Sequence, residues 1–124
     1  MIEKGDHIVL WKENWMKLIK VDSKTKKVSG IGVIDTSKFI GEEWGNEIKL
    51  GKSDYRLLKP ALKDMPDLFN RKAQVVLPRV ASQIVMYCNL SNGKKVIEGG
   101  AGSGFLSAIL TRAVSPDGEV ITYE

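Results

Sequence analysis

The sequence has little of what disulfide or metal chemistry requires: one cysteine and one histidine among 124 residues. A disulfide framework or a metal cluster needs several such residues, so we predict neither, and we expect Cys88 to be a small buried hydrophobic residue. No apolar run approaches the ~20 residues of a membrane helix. The first five residues, MIEKG, do not have the pattern of a signal peptide. We therefore expect a cytoplasmic protein with no metal and no membrane segment.

Acidic residues are few relative to basic ones in the first two thirds of the chain. Residues 1–79 hold 16 Lys and Arg against 11 Asp and Glu, a net charge of +5, whereas residues 80–124 hold 3 against 4, a net charge of −1. This asymmetry is typical of a polyanion-binding appendage joined to a catalytic domain. An ordinary lysine-rich surface is the alternative on charge alone. Internal repeats and low-complexity tracts are both absent.

The first sixty residues have the pattern of short strands separated by glycine-containing turns. We predict five strands, and such a set suggests a small antiparallel barrel. A domain this small needs bulky core residues, so we expect at least two of its tryptophans in the core, with stacking on nucleic-acid bases as the alternative. The predicted strands are residues 8–11, 15–21, 28–33, 47–50 and 55–58, and the tryptophans are Trp11, Trp15 and Trp44.

A linker and a helix follow the predicted barrel. Residues 61–78 contain Pro66 and the basic segment NRKAQVVLP, and apolar residues then recur at helical spacing from about Arg79 to Asn89. We therefore divide the chain into a small β-domain, residues 1–60, a linker, residues 61–78, and the incomplete start of an α/β domain, residues 79–124.

Residues 94–124 predict a strand, a glycine-rich turn, a helix and a second strand. The apolar pair before Glu98 ends the first strand, and glycines recur at positions 99, 100, 102 and 104. Apolar residues at helical spacing begin at Phe105, and a turn at 115–118 precedes the strand that ends at Glu124. This order is typical of the opening of a nucleotide-binding α/β fold.

The glycines and Glu124 together predict a site for an adenosine-type cofactor. Glycine permits a sharp turn and a close approach of ligand to backbone, and the turn exposes the free N–H groups of a helix N-terminus. Glu124 lies twenty residues after Gly104, at the end of the next strand. An acidic residue at about that distance is placed to accept hydrogen bonds from ribose hydroxyls.

The identity of the cofactor depends on position 105 and on Glu98. The dinucleotide fingerprint requires a third glycine where this chain has Phe105, and the spacing here is G-x-G-x-G. A carboxylate at Glu98 would repel a pyrophosphate and attract a cationic ammonium group. These features favour S-adenosyl-L-methionine over NAD. A glycine-rich turn without any ligand is the third alternative.

The sequence resembles the tRNA adenine-N1 methyltransferases that modify a T-loop adenine, archaeal members in particular. The resemblance is strongest in RKAQVVLP (71–78), VIEGGAGSG (96–104) and the segment from Ala113 to Glu124. It implies an α/β protein with a small N-terminal antiparallel β-barrel-like domain and a Rossmann-like methyltransferase domain dependent on S-adenosyl-L-methionine. It also implies a homotetramer that binds tRNA.

The resemblance assigns roles to individual residues. It places a glycine turn beneath the cofactor, two residues that open the helix over it, a glutamine beside the pocket and an acidic residue on the ribose. Val80 departs from the family pattern, which has an acidic residue there. The implied cofactor-binding residues, with Glu98 added from the electrostatic argument, are Gln74, Glu98, Gly100, Gly102, Ser103, Gly104, Phe105, Leu106 and Glu124. We expect RNA contacts at Arg71 and Lys72.

The chain stops before the family's catalytic aspartate and adenine-contacting residues. A methyltransferase sheet has about seven strands, of which two are expected here. We therefore predict that this chain is the N-terminal, truncated part of the enzyme, with no catalytic residue of its own, and that it is inactive alone. Its exposed strand edges would favour pairing with another copy. A non-catalytic RNA-binding or assembly β-domain is the alternative.

Overall fold

The computed structural model describes residues 1–66 and 75–124. The chain divides into two compact units, Met1–Asp64 and Met65–Glu124. The predicted linker, residues 61–78, includes residues outside the described ranges. The domain boundaries drawn above therefore stay a prediction.

Unit 1 contains six short strands and two single-turn 3-10 helices. The four-residue 3-10 helix begins after Asp35, whose carboxylate accepts a hydrogen bond from the Ser37 N–H at 2.9 Å. That contact satisfies a helix N–H that would otherwise have no partner. The strands are β1 (His7–Lys12), β2 (Trp15–Lys20), β3 (Thr25–Val28), β4 (Gly32–Asp35), β5 (Glu47–Leu50) and β6 (Ser53–Leu58), and the 3-10 helices are Thr36–Phe39 and Leu62–Asp64.

The strands of unit 1 form two antiparallel sheets. One has four strands in the order β2-β1-β6-β5, and the other is the β3-β4 hairpin. Among the described residues no ladder joins the two sheets, so backbone strand pairing does not close the barrel-like unit. Both sheets contribute to a single apolar core, which includes Leu10 and Leu57 from the first and Ile34 from the second.

The predicted third strand, residues 28–33, is wrong. The chain reverses there, so that Val28 ends β3 and Gly32 begins β4, with Val28 opposite Gly32 in the ladder. Gly30 and Gly32 have φ of +89° and +107°, values that L side chains rarely adopt. The two glycines therefore form a hairpin turn and do not merely interrupt one strand.

The tryptophans of unit 1 divide between the core and the surface. Trp15 and Trp44 are partly buried and pack against the apolar core, as we expected for at least two of the three. Trp15 also makes an edge-to-face contact with Tyr55, with ring centroids 5.5 Å apart. Trp11 is 41% exposed.

Unit 2 has the predicted order of strand, glycine-rich turn, helix and strand, preceded by one further helix. β7 (Lys95–Gly99) and β8 (Glu119–Tyr123) are parallel, with Ile97 opposite Ile121, and α2 (Phe105–Val114) connects them. Val96, Glu98 and Thr122 are at least half-buried, whereas Ile97 and Ile121 on the other face are exposed. The elements are α1 (Pro78–Tyr87), β7 (Lys95–Gly99), α2 (Phe105–Val114) and β8 (Glu119–Tyr123).

Helix α1 ends earlier than the predicted Asn89, and this changes the environment of Cys88. Asn89 has φ of +51°, which a continuing α-helix cannot accommodate. Cys88 follows the last helical residue and is exposed, so the expectation that it is buried is wrong. In the part of the chain that the structure describes, the helices are too short to cross a bilayer.

Candidate functional site

The parallel pairing of β7 and β8 places their carboxyl ends side by side. Gly99 lies opposite Tyr123 in the ladder, and the Gly100 N–H donates a hydrogen bond to the Tyr123 carbonyl oxygen at 2.6 Å. Residues that follow the two strands therefore meet at one edge of the sheet. In open α/β sheets this edge is where ligands bind.

The turn after β7 depends on glycine because its backbone is left-handed at three positions. Gly100, Gly102 and Gly104 have φ of +78°, +56° and +85°. Side chains with a Cβ atom are strained in this region, and β-branched ones most of all. At Gly99 and Gly100 an added Cβ would meet no other atom within 4 Å, so the space beside this part of the turn is open.

Helix α2 begins directly at the end of the turn. Gly104 is its N-cap residue, and the Ser103 hydroxyl accepts a hydrogen bond from the Phe105 N–H at 3.2 Å. Phe105 is fully buried and Leu106 is partly buried. The two predicted helix-opening residues thus start α2, and the buried Phe105 ring fixes the position of that start in the unit.

Glu98 is a buried carboxylate that joins three elements of unit 2. It is 8% exposed, and its Oε1 accepts hydrogen bonds from the Ser107 hydroxyl of α2 at 2.5 Å and the Thr122 hydroxyl of β8 at 2.9 Å. Hydrogen bonds of this kind offset the cost of burying a charge. Glu98 therefore has a structural task, in addition to any electrostatic effect on a ligand.

Glu124 lies across the glycine turn. Its Oε1 accepts a hydrogen bond from the Ala101 N–H at 2.9 Å, although 23 residues separate the two in sequence. No described residue donates to its other carboxylate oxygen, so that oxygen is available to a hydroxyl group. The structure thus brings together the glycine turn and the acidic residue that the sequence predicted as one site.

The electrostatic character of the turn is set by carboxylates. Glu98 and Glu124 flank it, and the sequence from Glu98 to Ser107 contains no Lys or Arg. A pyrophosphate would meet repulsion here without a compensating cation, whereas a cationic ligand would be attracted. This charge pattern is compatible with a sulfonium or ammonium group.

Some predicted site residues lie outside the described residues, and sequence reasoning missed others. Gln74, Arg71 and Lys72 are in the first group. The second group consists of Ser107 and Thr122, the partners of Glu98. Their signal was weak: each is a hydroxyl residue within an otherwise apolar run, and only the fold shows that both contact one carboxylate.

Comparison with protein-family models finds a match in the second half of the chain. The model described as "tRNA methyltransferase complex GCD14 subunit" matches residues 59–124, just over half of the chain. The matched segment includes the whole of the glycine turn and Glu124. It excludes β1 to β6.

Two curated relatives extend the likeness further along the chain. The tRNA (adenine(58)-N(1))-methyltransferase catalytic subunit trmt61a of Dictyostelium discoideum is 28% identical over 100% of the chain, which spans 41% of that relative. The tRNA (adenine(57)-N(1)/adenine(58)-N(1))-methyltransferase TrmI of Methanocaldococcus jannaschii is 32% identical over 76% of the chain, which spans 33% of that relative. The chain therefore corresponds to well under half of each.

A solved structure shares the fold. A SAM-dependent O-methyltransferase from Thermotoga maritima matches 99% of the chain at a TM-score of 0.85 and 31% identity, and the chain covers 47% of that protein. That protein is described as an O-methyltransferase, with oxygen as the methyl acceptor, whereas both curated relatives are named for N1 of adenine. The shared fold alone therefore does not specify the acceptor atom.

Proposed function

Because the chain belongs to the GCD14 family of tRNA methyltransferase complex subunits, we propose that it forms part of a SAM-dependent methyltransferase acting on N1 of adenine in the T loop of tRNA. In this proposal the 124 residues supply a small β-domain, residues 1–60, a linker, residues 61–78, and the first part of the methyltransferase domain, residues 79–124. The chain contains no catalytic residue. The complete protein acts in the cytoplasm as a homotetramer.

The hydrogen bond from Ala101 to Glu124 is the observation that carries the proposal. It holds an acidic side chain from the second strand directly over the glycine turn that follows the first. The unpaired carboxylate oxygen can accept a ribose hydroxyl, and the open space beside Gly99 and Gly100 allows a ligand to approach the backbone. The residues present therefore fit S-adenosyl-L-methionine.

Each residue of the site has a distinct proposed task. Gly100, Gly102 and Gly104 form the turn beneath the cofactor, and Ser103 fixes the start of the helix at its edge. Glu124 binds the ribose. Phe105 and Leu106 begin the helix over the pocket, and Glu98 contributes negative charge beside it. The resemblance also assigns Gln74, which is outside the described residues, to the cofactor site.

The main task of these residues would be to orient the bound cofactor. S-adenosyl-L-methionine supplies an electrophilic methyl group on a positively charged sulfur. A transfer of this kind depends on holding donor and acceptor in line, which the rigid turn and the ribose contact favour. Glu98 and Glu124 also favour the positive charge of the donor over a phosphate-containing competitor.

The proposed substrate is tRNA, with Arg71 and Lys72 as proposed contacts to its phosphates. The names of both curated relatives support N1 of adenine as the acceptor. A second candidate function is a non-catalytic RNA-binding or assembly β-domain, and the basic surface of unit 1 favours it. The two candidates differ in whether the glycine turn binds a cofactor.

The test is methyl transfer to a tRNA transcript by a protein of full family length that contains this chain. With S-adenosyl-L-methionine carrying a labelled methyl group, we expect label in the transcript. We expect none in a transcript whose T-loop adenine is replaced by guanine. Equal labelling of the two transcripts would reject N1 of that adenine as the acceptor. No labelling, together with no heat of binding on calorimetric titration with the cofactor, would reject the methyltransferase and favour the RNA-binding alternative.

A further inference from the structure

The positive charge of unit 1 is concentrated in one short segment. Residues 15–28 hold five lysines and a single acidic residue, Asp22, a net charge of +4. The rest of the unit, residues 1–14 and 29–64, holds eight basic and nine acidic residues, a net charge of −1. The excess charge of this unit is therefore a local feature and not a general property of its surface.

The fold gathers four of these lysines around one cleft. Lys17 and Lys20 come from β2, Lys26 and Lys27 come from β3, and together they line an open cleft of about 330 Å³ between the two strands. Its lining residues include the buried apolar residues Ile19 and Val28. β2 is an edge strand of the four-stranded sheet, so its outer side carries no neighbouring strand of that sheet.

One lysine holds the cleft together, and the others are available to a ligand. The Lys26 ammonium donates to the Lys20 carbonyl oxygen at 2.9 Å and forms an ion pair with Asp22 at 3.0 Å. Lys26 thus links β3 to β2 and neutralises the only carboxylate of the segment. The side chains of Lys17, Lys20 and Lys27 make no hydrogen bond or ion pair with any described residue.

Uncompensated charge of one sign along a cleft favours a polyanion. A cleft with low-dielectric walls concentrates the electrostatic potential of the charges that line it. Lysine is a flexible point charge suited to sequence-independent phosphate contacts, and such contacts position a nucleic acid without reading its bases. No carboxylate in the lining competes with a phosphate.

We propose that the β2–β3 cleft, lined by Lys17, Lys20, Lys26 and Lys27, binds the phosphate backbone of the tRNA substrate. This inference rests on the proposed function, because that function supplies the RNA. It goes further in assigning RNA binding to residues of unit 1, in addition to the predicted contacts Arg71 and Lys72. Lys17, Lys20 and Lys27 contact phosphates, and Lys26 keeps the two strands in place.

The test compares two triple variants with equal changes in charge. In the first, Lys17→Gln, Lys20→Gln and Lys27→Gln remove the three available lysines of the cleft. The control carries Lys4→Gln, Lys49→Gln and Lys52→Gln, three exposed lysines elsewhere in the same unit whose side chains have no partner among the described residues. Binding of the 124-residue chain to a fluorescein-labelled tRNA transcript is measured by anisotropy over a range of salt concentrations. Melting curves confirm that both variants fold.

We expect the cleft variant to lower the slope of log K against log salt by about 2, because each lost phosphate contact removes roughly 0.7–0.9 from it. This corresponds to a loss of affinity on the order of a hundredfold at roughly 0.1 M salt. The control should lose far less. Equal losses in the two variants, or an unchanged slope in the cleft variant, would overturn the proposal. So would a polyglutamate peptide that binds the cleft more tightly than RNA of equal charge.

A calorimetric titration with S-adenosyl-L-methionine of proteins of full family length that carry the same substitutions separates this inference from the proposed function. Unit 2 carries the cofactor turn, and neither triple variant changes a residue of it, so we expect identical cofactor binding in all three proteins. Loss of RNA binding in the cleft variant with no cofactor binding in any protein would reject the methyltransferase and keep the cleft. Cofactor binding together with an RNA affinity that does not depend on the cleft lysines would keep the methyltransferase and reject the cleft.

Discussion

Single residues of unit 2 show how one contact supports a proposed function. Glu124 is exposed, and its interaction with the turn is a single hydrogen bond to the Ala101 N–H. Glu98 is buried and makes two. The exposed Glu124 carboxylate has one oxygen available to a ligand, whereas the buried Glu98 carboxylate already accepts two hydrogen bonds from side chains of unit 2.

Replacing Glu124 with alanine should weaken cofactor binding. In a protein of full family length we expect a loss of about 1–3 kcal/mol for S-adenosyl-L-methionine, since the ribose hydroxyls lose their acceptor. Calorimetric titration measures it. Glu119→Ala is the matched control, because it removes the same charge from the exposed start of β8, where Glu119 pairs with Lys95 at 3.1 Å. Unchanged affinity in Glu124→Ala would remove Glu124 from the site.

Gly118 is required for a steric reason unrelated to the cofactor. A Cβ at this position would lie 2.4 Å from the Lys94 carbonyl oxygen and 2.5 Å from the Val114 Cβ. Neither atom is the end of a flexible side chain, so Gly118→Ala must displace backbone. We expect unit 2 to lose about 3 kcal/mol of unfolding free energy.

Far-UV circular dichroism is the measurement for Gly118→Ala, because both α-helices of the described chain belong to unit 2. Gly99→Ala is its control, since a Cβ there meets nothing within 4 Å. All three tryptophans lie in unit 1, so their fluorescence should not change. Equal destabilisation by the two substitutions would show that the close packing at Gly118 does not matter.

At the scale of elements, the turn between β7 and α2 should tolerate no β-branched residue at its centre. Gly102 has φ of +56°, so Gly102→Val strains the backbone and places a branched side chain in the turn. We expect calorimetry to detect no cofactor binding, with tryptophan fluorescence of unit 1 unchanged. Gly93→Val is the control, because Gly93 has φ of +86° in a different turn of unit 2. Retained affinity in Gly102→Val would reject the glycine-turn site.

Two aspartates of unit 1, Asp22 and Asp35, should make the stability of this unit depend on pH. A hydrogen bond from the Lys26 ammonium lowers the pKa of Asp22, and the Ser37 N–H lowers the pKa of Asp35. A carboxyl whose pKa is lower when folded stabilises the fold above its unfolded pKa, about 3.9. That stability is lost as the pH falls through the folded-state pKa. Unit 1 should therefore become less stable in acid below about pH 4.

Urea unfolding, monitored by tryptophan fluorescence at several pH values, tests the predicted loss of unit 1 stability in acid. In Asp35→Asn the amide oxygen can still accept the Ser37 hydrogen bond but does not titrate, so the loss of stability in acid should be smaller than in the unmodified chain. Asp54→Asn is the control, since Asp54 is exposed and its side chain has no hydrogen-bond partner among the described residues. An identical pH profile for Asp35→Asn and the unmodified chain would contradict the assignment.

At the scale of the whole molecule, the chain spans 41% and 33% of two curated relatives. It supplies two parallel strands, and the face with Ile97 and Ile121 has no covering helix among the described residues. Parallel sheets are normally covered on both faces. The proposed enzyme therefore needs more of the fold than these residues contain.

The 124-residue chain alone should transfer no methyl group to tRNA. We expect labelled transcript only with a protein of full family length, because the catalytic aspartate and adenine-contacting residues that the resemblance implies are not among these 124 residues. The measurement is incorporation of a labelled methyl group at matched protein concentrations. Transfer by the 124-residue chain itself would contradict the prediction and require a catalytic residue within it.

The sequence by itself determined the features that depend on local pattern. Strand, glycine turn, helix and strand could be predicted for residues 94–124, because each has its own periodicity or turn chemistry. Glu124 was identified by its distance from the glycines. The approximate strands of unit 1 followed from short apolar runs, but Gly30 and Gly32 were interpreted as interruptions of one strand, since one sequence cannot distinguish a bulge from a reversal.

Only the tertiary structure decided which distant groups share an environment. Ser107 and Thr122 converge on Glu98, and Lys17, Lys20, Lys26 and Lys27 line one cleft, because strand pairing and packing bring together residues with no common local signal. The exposure of Cys88 was decided in the same way, since it depends on the residue at which α1 ends. Backbone conformation follows from nearby residues, whereas burial and ionic partners follow from contacts between segments far apart in sequence.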